Sequence, residues 1–208
     1  MLFNIAAIII GYLLGSFPTA YIVARLRKGV DIRQVGVGNM GAANTFREIG
    51  RLEGIIVWVV DLAKGAGAIL IALALHVDQP WVFGAGFVAV LGHNFPVYIR
   101  FKGGKGAATT MGIFLVLAPE AMLITFVLLA IPYLFLRRIF AAMCVVGPVL
   151  PLLIWKFESS VALALFAVVL LILMGLRNIP KPRRFREFVA SFRNRAAGRT
   201  QTGNRINV

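Results

Sequence analysis

Seven apolar runs divide the first 180 residues of the chain. They cover residues 3–23, 55–77 and 81–99, two shorter pieces within 107–136, then 139–155 and 160–176. A helix needs about 20 residues to cross the hydrocarbon core of a bilayer, so the stretch 107–136, about 30 residues long, is too long for one crossing and short for two. Pro119-Glu120 near its middle predicts a tight turn between two short helices. Arg25, Arg27 and Lys28 close the first run, Arg100 ends the third, and Asp61 and Lys64 interrupt the second. The pattern predicts an all-α fold: a polytopic membrane bundle of about seven helices over residues 1–179, followed by a basic tail at 180–208.

Composition agrees with a membrane solvent. Hydrophobic residues make up 60% of the 208 and charged residues 14%, with a mean hydropathy of +0.86. Soluble domains carry about 45–50% apolar and about 25% charged residues. The net charge is nevertheless +14, from 22 Lys and Arg against 8 Asp and Glu. A disordered basic chain would lack the apolar content, and a soluble core of this length could not bury it.

The distribution of that charge predicts sidedness. With the N-terminus outside, segments 24–54, 100–106, 137–138 and the chain beyond 176 face the cytoplasm. They hold 20 of the 22 basic residues; Lys64 and Lys156 are the exceptions. The opposite turns hold Asp78, Glu120 and Glu158. This is the positive-inside pattern, and it puts the C-terminus in the cytoplasm. Fusing the fourth and fifth runs would move Arg137, Arg138 and the tail to the wrong side. The tail reads as a solvated extension drawn to anionic lipid. The N-terminus lacks the basic region of a cleavable signal peptide and reads as an inserted helix.

Redox and metal chemistry find few candidates. Cys144 is the only cysteine, and His76 and His93 are the only histidines. No Cys/His cluster has ligand spacing, so no cofactor is expected.

Polar residues intrude on the apolar pattern at three places, all on the predicted cytoplasmic side. The first is the loop 31–47, with Gly36, Gly38 and Gly41 in G-x-G-x-x-G spacing. It is no dinucleotide fingerprint, because no strand precedes it. Its glycines still let N–H groups converge on an anion, Asn39 and Asn44 add donors, and Arg33 and Arg47 add charge. The plainer reading is a surface loop whose arginines set topology. The second place joins Gly92-His93-Asn94-Phe95-Pro96 to the loop 101–106, where Lys105 stands among Gly103, Gly104 and Gly106 at a helix start. It is not a Walker loop, yet it has the parts of a phosphate cradle. His93 reads either as a satisfied interfacial histidine or as a substrate contact. The third is Asp61 and Lys64, three residues apart on one helix face, a pair that orients the loops. Two anion-binding loops beside an aliphatic bundle point to an enzyme joining a phosphorylated metabolite to a lipid. A carrier of phosphorylated anions would use the same loops, although it would need midplane polar sites and usually a repeat, neither of which is visible.

These pieces, with Gly15-Ser16-Phe17-Pro18-Thr19-Ala20-Tyr21 before them and Asn178-Ile179 after the last run, resemble the bacterial acyl-phosphate-dependent glycerol-3-phosphate acyltransferases over about residues 8–180. The resemblance implies a seven-helix protein of the bacterial cell (inner) membrane that needs no metal and has no nucleic-acid partner. Its partners would be membrane lipids, acyl phosphate and glycerol 3-phosphate, whose 1-hydroxyl takes the acyl group to give lysophosphatidate and phosphate. Gly38, Asn39 and Arg47 match the first phosphate motif, and Gly103, Gly104 and Lys105 the second. Asn178 matches a polar residue of the substrate site. Arg47, Lys105 and Asn178 are thus the implied catalytic residues, with Gly38, Asn39, Asn44, His93, Gly103 and Gly104 as substrate contacts. The chain departs from the family's usual Ser, Thr and His at Val37, Ala43 and Gly175. Each departure removes a hydrogen-bonding group, which leaves open a catalytically reduced homologue or another acceptor.

Overall fold

The structure, a computed structural model, describes residues 1–136 and 139–178, apart from the side chain of Phe140. Arg137, Arg138 and the expected tail 180–208 lie outside the described residues. The chain divides into a unit of Met1–Arg177 and a second, Asn178–Val208, of which only Asn178 is described.

The described residues are helical, with no strand among them. The first apolar run is not one helix. α1 (Leu2–Ser16) stops before Pro18, and α2 (Thr19–Lys28) restarts after it. Proline lacks an N–H and pushes the residue before it into extended geometry, here Phe17 at φ −56°, ψ 117°. Gly29, left-handed at φ 68°, ends α2 after a last turn that carries Arg25, Arg27 and Lys28. The short α3 (Ala42–Glu48) follows the first glycine loop, and α4 (Arg51–Ala74) crosses back. Its 24 residues reach about 36 Å at 1.5 Å each, enough for a bilayer core.

α5 (Gln79–Asn94) leads to the second glycine loop and α6 (Ala107–Leu117). α6 and α7 (Pro119–Leu136) meet at Ala118, so Pro119 separates two helices inside the long fourth stretch. The sixth run is broken as well: α8 (Ile139–Val146) and α9 (Val149–Glu158) are parted at Gly147-Pro148. α10 (Val161–Leu176) starts at Ser160, whose hydroxyl accepts from the Leu163 N–H at 3.2 Å.

Among the described residues, four segments are long and apolar enough to cross a membrane: Leu2–Lys28, Arg51–Ala74, Gln79–Ile99 and Pro119–Leu136. α6 and α10 are apolar but shorter. Ile69, Val90, Ile113, Phe114 and Leu170 fill the core, with Phe83 stacked on Phe166 at 4.8 Å. Val161, Leu165, Val169, Ile172 and Leu176 of α10 point outward and are exposed. A helix apolar on both faces belongs in lipid.

Two helix crossings are close because glycine permits it. A side chain at Gly15 would run into the Ala89 carbonyl, which holds α1 against α5. One at Gly65 would meet the Thr109 carbonyl, which holds α4 against the start of α6. The first crossing brings the C-terminal ends of α1 and α5 together, and the two glycine loops meet where Gly104 stands against the Met40 carbonyl.

Candidate active site at the two glycine loops

The first loop is shaped by Asn44. Its side chain is buried, accepts from the Val37 N–H at 3.1 Å and donates to the carbonyls of Val35 at 3.1 Å and Ile32 at 3.4 Å. Asn44 therefore organises the loop, and its amide is committed to backbone. Gly36 and Gly38 take left-handed φ values of 57° and 65°, and the Gly38 N–H returns to the Val35 carbonyl at 3.0 Å. Asn39 is half-buried at the end of this turn. Arg47, in the last turn of α3, is exposed and makes no hydrogen bond or ion pair among the described residues.

Arg33 ties the first loop to the approach of the second. Its guanidinium chelates Asp31, with Nη2 2.6 Å from Oδ2, and Nη1 donates to the Ile99 carbonyl at 3.0 Å. The Arg33 hydrogen bond, opposed in part by burial, holds the Asp31 pKa below the ordinary carboxylate value. The Tyr12 hydroxyl ties α1 to the same approach, donating to the Phe95 carbonyl at 2.8 Å.

The second loop differs from the cradle its glycines imply. The N–H groups of Gly103 and Gly104 donate to the carbonyls of Asn94 at 3.2 Å and His93 at 3.0 Å. These amides are spent on backbone, and the glycines serve close approach instead: a Cβ at Gly104 would collide with His93 Nε2 and stand 2.8 Å from the Met40 carbonyl. The N–H groups left for an anion are those of the first turn of α6, which have no intrahelical partner. Lys105, half-buried, precedes that turn by two residues.

Behind the loop lies Arg177, at the end of α10. Its Nη2 donates to the Asn94 and Gly104 carbonyls, both at 3.1 Å, and its guanidinium lies 4.6 Å from the Phe95 ring centre. The side-chain amide of Asn94 is wholly buried without a hydrogen-bond partner.

Beneath both loops is a small polar chamber whose walls include Ser16, Thr19, Met40, Asp61, Lys64, His93 and Gly104. Lys64 Nζ stands 2.8 Å from Asp61 Oδ1, an ion pair off the angle of a hydrogen bond, and donates to the Phe17 carbonyl at 3.1 Å. The break at Pro18 frees that carbonyl from a continuing helix. Nothing in spacing or charge singles out Ser16 and Thr19; the available signal is two hydroxyl residues flanking a proline inside an apolar run.

A second cavity, apolar, opens next to α6. It runs from Ala107 and Thr110 past Phe114 and Met122 to Met143 and Leu150. Val37 and Ala43 are exposed, and Gly175 has open space around it. Asn178 is half-buried in the turn after α10.

Anion-directed loops beside an apolar cavity in a helical bundle define a membrane enzyme that handles a phosphorylated, lipid-linked substrate. The glycerol-3-phosphate acyltransferase family matches residues 5–186, and the chain belongs to that family. It is 41% identical to glycerol-3-phosphate acyltransferase 1 of Dehalococcoides mccartyi over 194 residues, covering 90% of this chain and 93% of that one. Among solved structures it resembles PlsY (YgiH), an integral membrane glycerol 3-phosphate acyltransferase, in its glycerol 3-phosphate form. That match has a TM-score of 0.80 and 31% identity, and covers 90% and 92% of the two chains. The lysophosphatidic acid form of the same protein matches with a TM-score of 0.78 at 30% identity.

Proposed function

We propose that this integral membrane glycerol-3-phosphate acyltransferase draws its acyl group from an acyl phosphate and transfers it to the 1-hydroxyl of glycerol 3-phosphate. The observation that carries this reading is the apolar cavity beginning at Ala107, two residues beyond Lys105. An acyl chain lying there brings its head group to Lys105 and the open first turn of α6. The acceptor's hydroxyl oxygen attacks the acyl carbonyl carbon, the bond from that carbon to the phosphate oxygen breaks, and the departing phosphate takes the hydroxyl proton. Holding both phosphates on adjacent loops supplies proximity. Arg47 and Lys105 stabilise the charge that develops as phosphate leaves. Gly38 and Asn39 line the first phosphate position, and the role of Asn178 rests on the family resemblance. Asn44, Gly103, Gly104 and His93 act by holding the loops in shape. Charge distribution supports a site facing the cytoplasm of a bacterial inner membrane.

Purified protein incubated with palmitoyl phosphate and glycerol 3-phosphate tests this directly. Lysophosphatidate and inorganic phosphate are expected in equal amounts. Arg47→Ala and Lys105→Ala are each expected to lower kcat/KM by about 100-fold or more. Glycerol-phosphate counterflow in proteoliposomes, without turnover, would replace this reading with transport.

A further inference from the structure

The chamber beneath the loops holds polar atoms without a hydrogen-bond partner. Ser16 Oγ, Thr19 Oγ1, Asp61 Oδ1 and His93 Nδ1 are all buried without a hydrogen-bond partner, and all four residues line it. They come from the end of α1, the start of α2, α4 and α5, so the convergence is tertiary. His93 Nδ1 lies 3.8 Å from Asp61 Oδ1, too far for a direct hydrogen bond and suited to a bridged one. Lys64 already balances the Asp61 charge, so the chamber calls for no further cation. The space has room for about one water molecule.

We propose that one ordered water occupies this chamber, bridges Ser16, Thr19, Asp61 and His93, and thereby makes His93 a positioning residue for the second glycine loop. The link from ring to loop is short. Gly103 and Gly104 hang from the carbonyls of Asn94 and His93, and Gly104 abuts His93 Nε2. With Nδ1 held by the water, Nε2 has one place to be, and Gly104 rests against it. The Met40 carbonyl beside Gly104 carries the same constraint to the residue after Asn39 in the first loop. The kinetic part of the test rests on the proposed acyltransfer; the structural part does not.

The experiment has two arms. A high-resolution structure of the full-length protein in a lipid mesophase is expected to show a water oxygen within about 3.2 Å of at least three of the four atoms. An empty chamber overturns the proposal whatever the activity. In the kinetic arm, His93→Phe keeps the ring's bulk and removes its nitrogens. It is expected to raise KM for glycerol 3-phosphate or palmitoyl phosphate by about tenfold, with a smaller fall in kcat. His93→Asn returns an amide near Nδ1 and is expected to recover most of that loss. Thr19→Val, which removes one water ligand at equal volume, is expected to raise the same KM by less, and it carries this arm if His93→Phe does not fold. Wild-type kinetics in the variants, no rescue by asparagine, or a fall in kcat at unchanged KM would each overturn the positioning role. Absence of turnover in the wild type would count against the acyltransfer and leave the water to the first arm.

Discussion

Two residues show how much of the site is built from polar groups whose hydrogen bonds go to the protein itself. Asn44 holds the first loop through three hydrogen bonds from one buried amide. Asn44→Ala is expected to cost about 1–3 kcal/mol, because its backbone partners, the buried Ile32 carbonyl among them, lose their bonds. A lower melting temperature in detergent and a raised KM at intact kcat would show it. Asp31 gives a dependence on pH. Its folded pKa is lowered by Arg33, so its contribution is complete above the unfolded value of about 3.9 and is lost as pH falls through the folded value. Melting curves between pH 7 and pH 3 should show the wild type converging on Asp31→Asn at the acid end. The roles of both residues were hidden in sequence. Asn44 reads as a donor in a glycine loop, and only the fold shows that its hydrogen bonds are already used.

Helices were legible where hydropathy changes and obscure where it does not. Pro119 divides the long stretch 107–136, and α6 and α7 meet beside it. The breaks at Pro18 and at Gly147-Pro148 fall inside apolar runs, where an average over the run passes straight across them. The second glycine loop was legible as a site but not in its mechanism, because the bonds of Gly103 and Gly104 depend on a tertiary turn that spacing does not encode. The apolar cavity is also a product of packing, drawn from five helices, α6 to α10. Met122, fully buried on α7, lines it. Met122→Trp is expected to lower turnover of palmitoyl phosphate several-fold more than that of a shorter acyl phosphate, read as the ratio of their kcat/KM values.

At the scale of the molecule, one number in the composition resolves into two causes. On the proposed orientation most of the basic residues face the cytoplasm, and two of them, Arg47 and Lys105, stand at the loops where phosphates are proposed to bind. The orientation predicts that a reporter active only outside the cytoplasm works at the N-terminus and fails at the C-terminus. The opposite result would move the whole site to the other face. The seven runs anticipated the bundle, while its crossing lengths are uneven: the four long spans stand beside the shorter α6 and α10.

The interrupted first span has a consequence for how the protein is made. Lys64 reaches the bilayer on α4 as a charge in need of an oxygen, and the Phe17 carbonyl exposed by Pro18 is one it uses. That oxygen belongs to a segment synthesised more than forty residues earlier. The ribosome therefore delivers the acceptor before the donor, and α4 enters the membrane with a docking point already in place. A straight α1 would hide that carbonyl and leave the later helix to carry its ammonium into lipid with only Asp61 for company. A kink that looks like a flaw in a membrane helix thus gives the ammonium of a later helix an oxygen to meet.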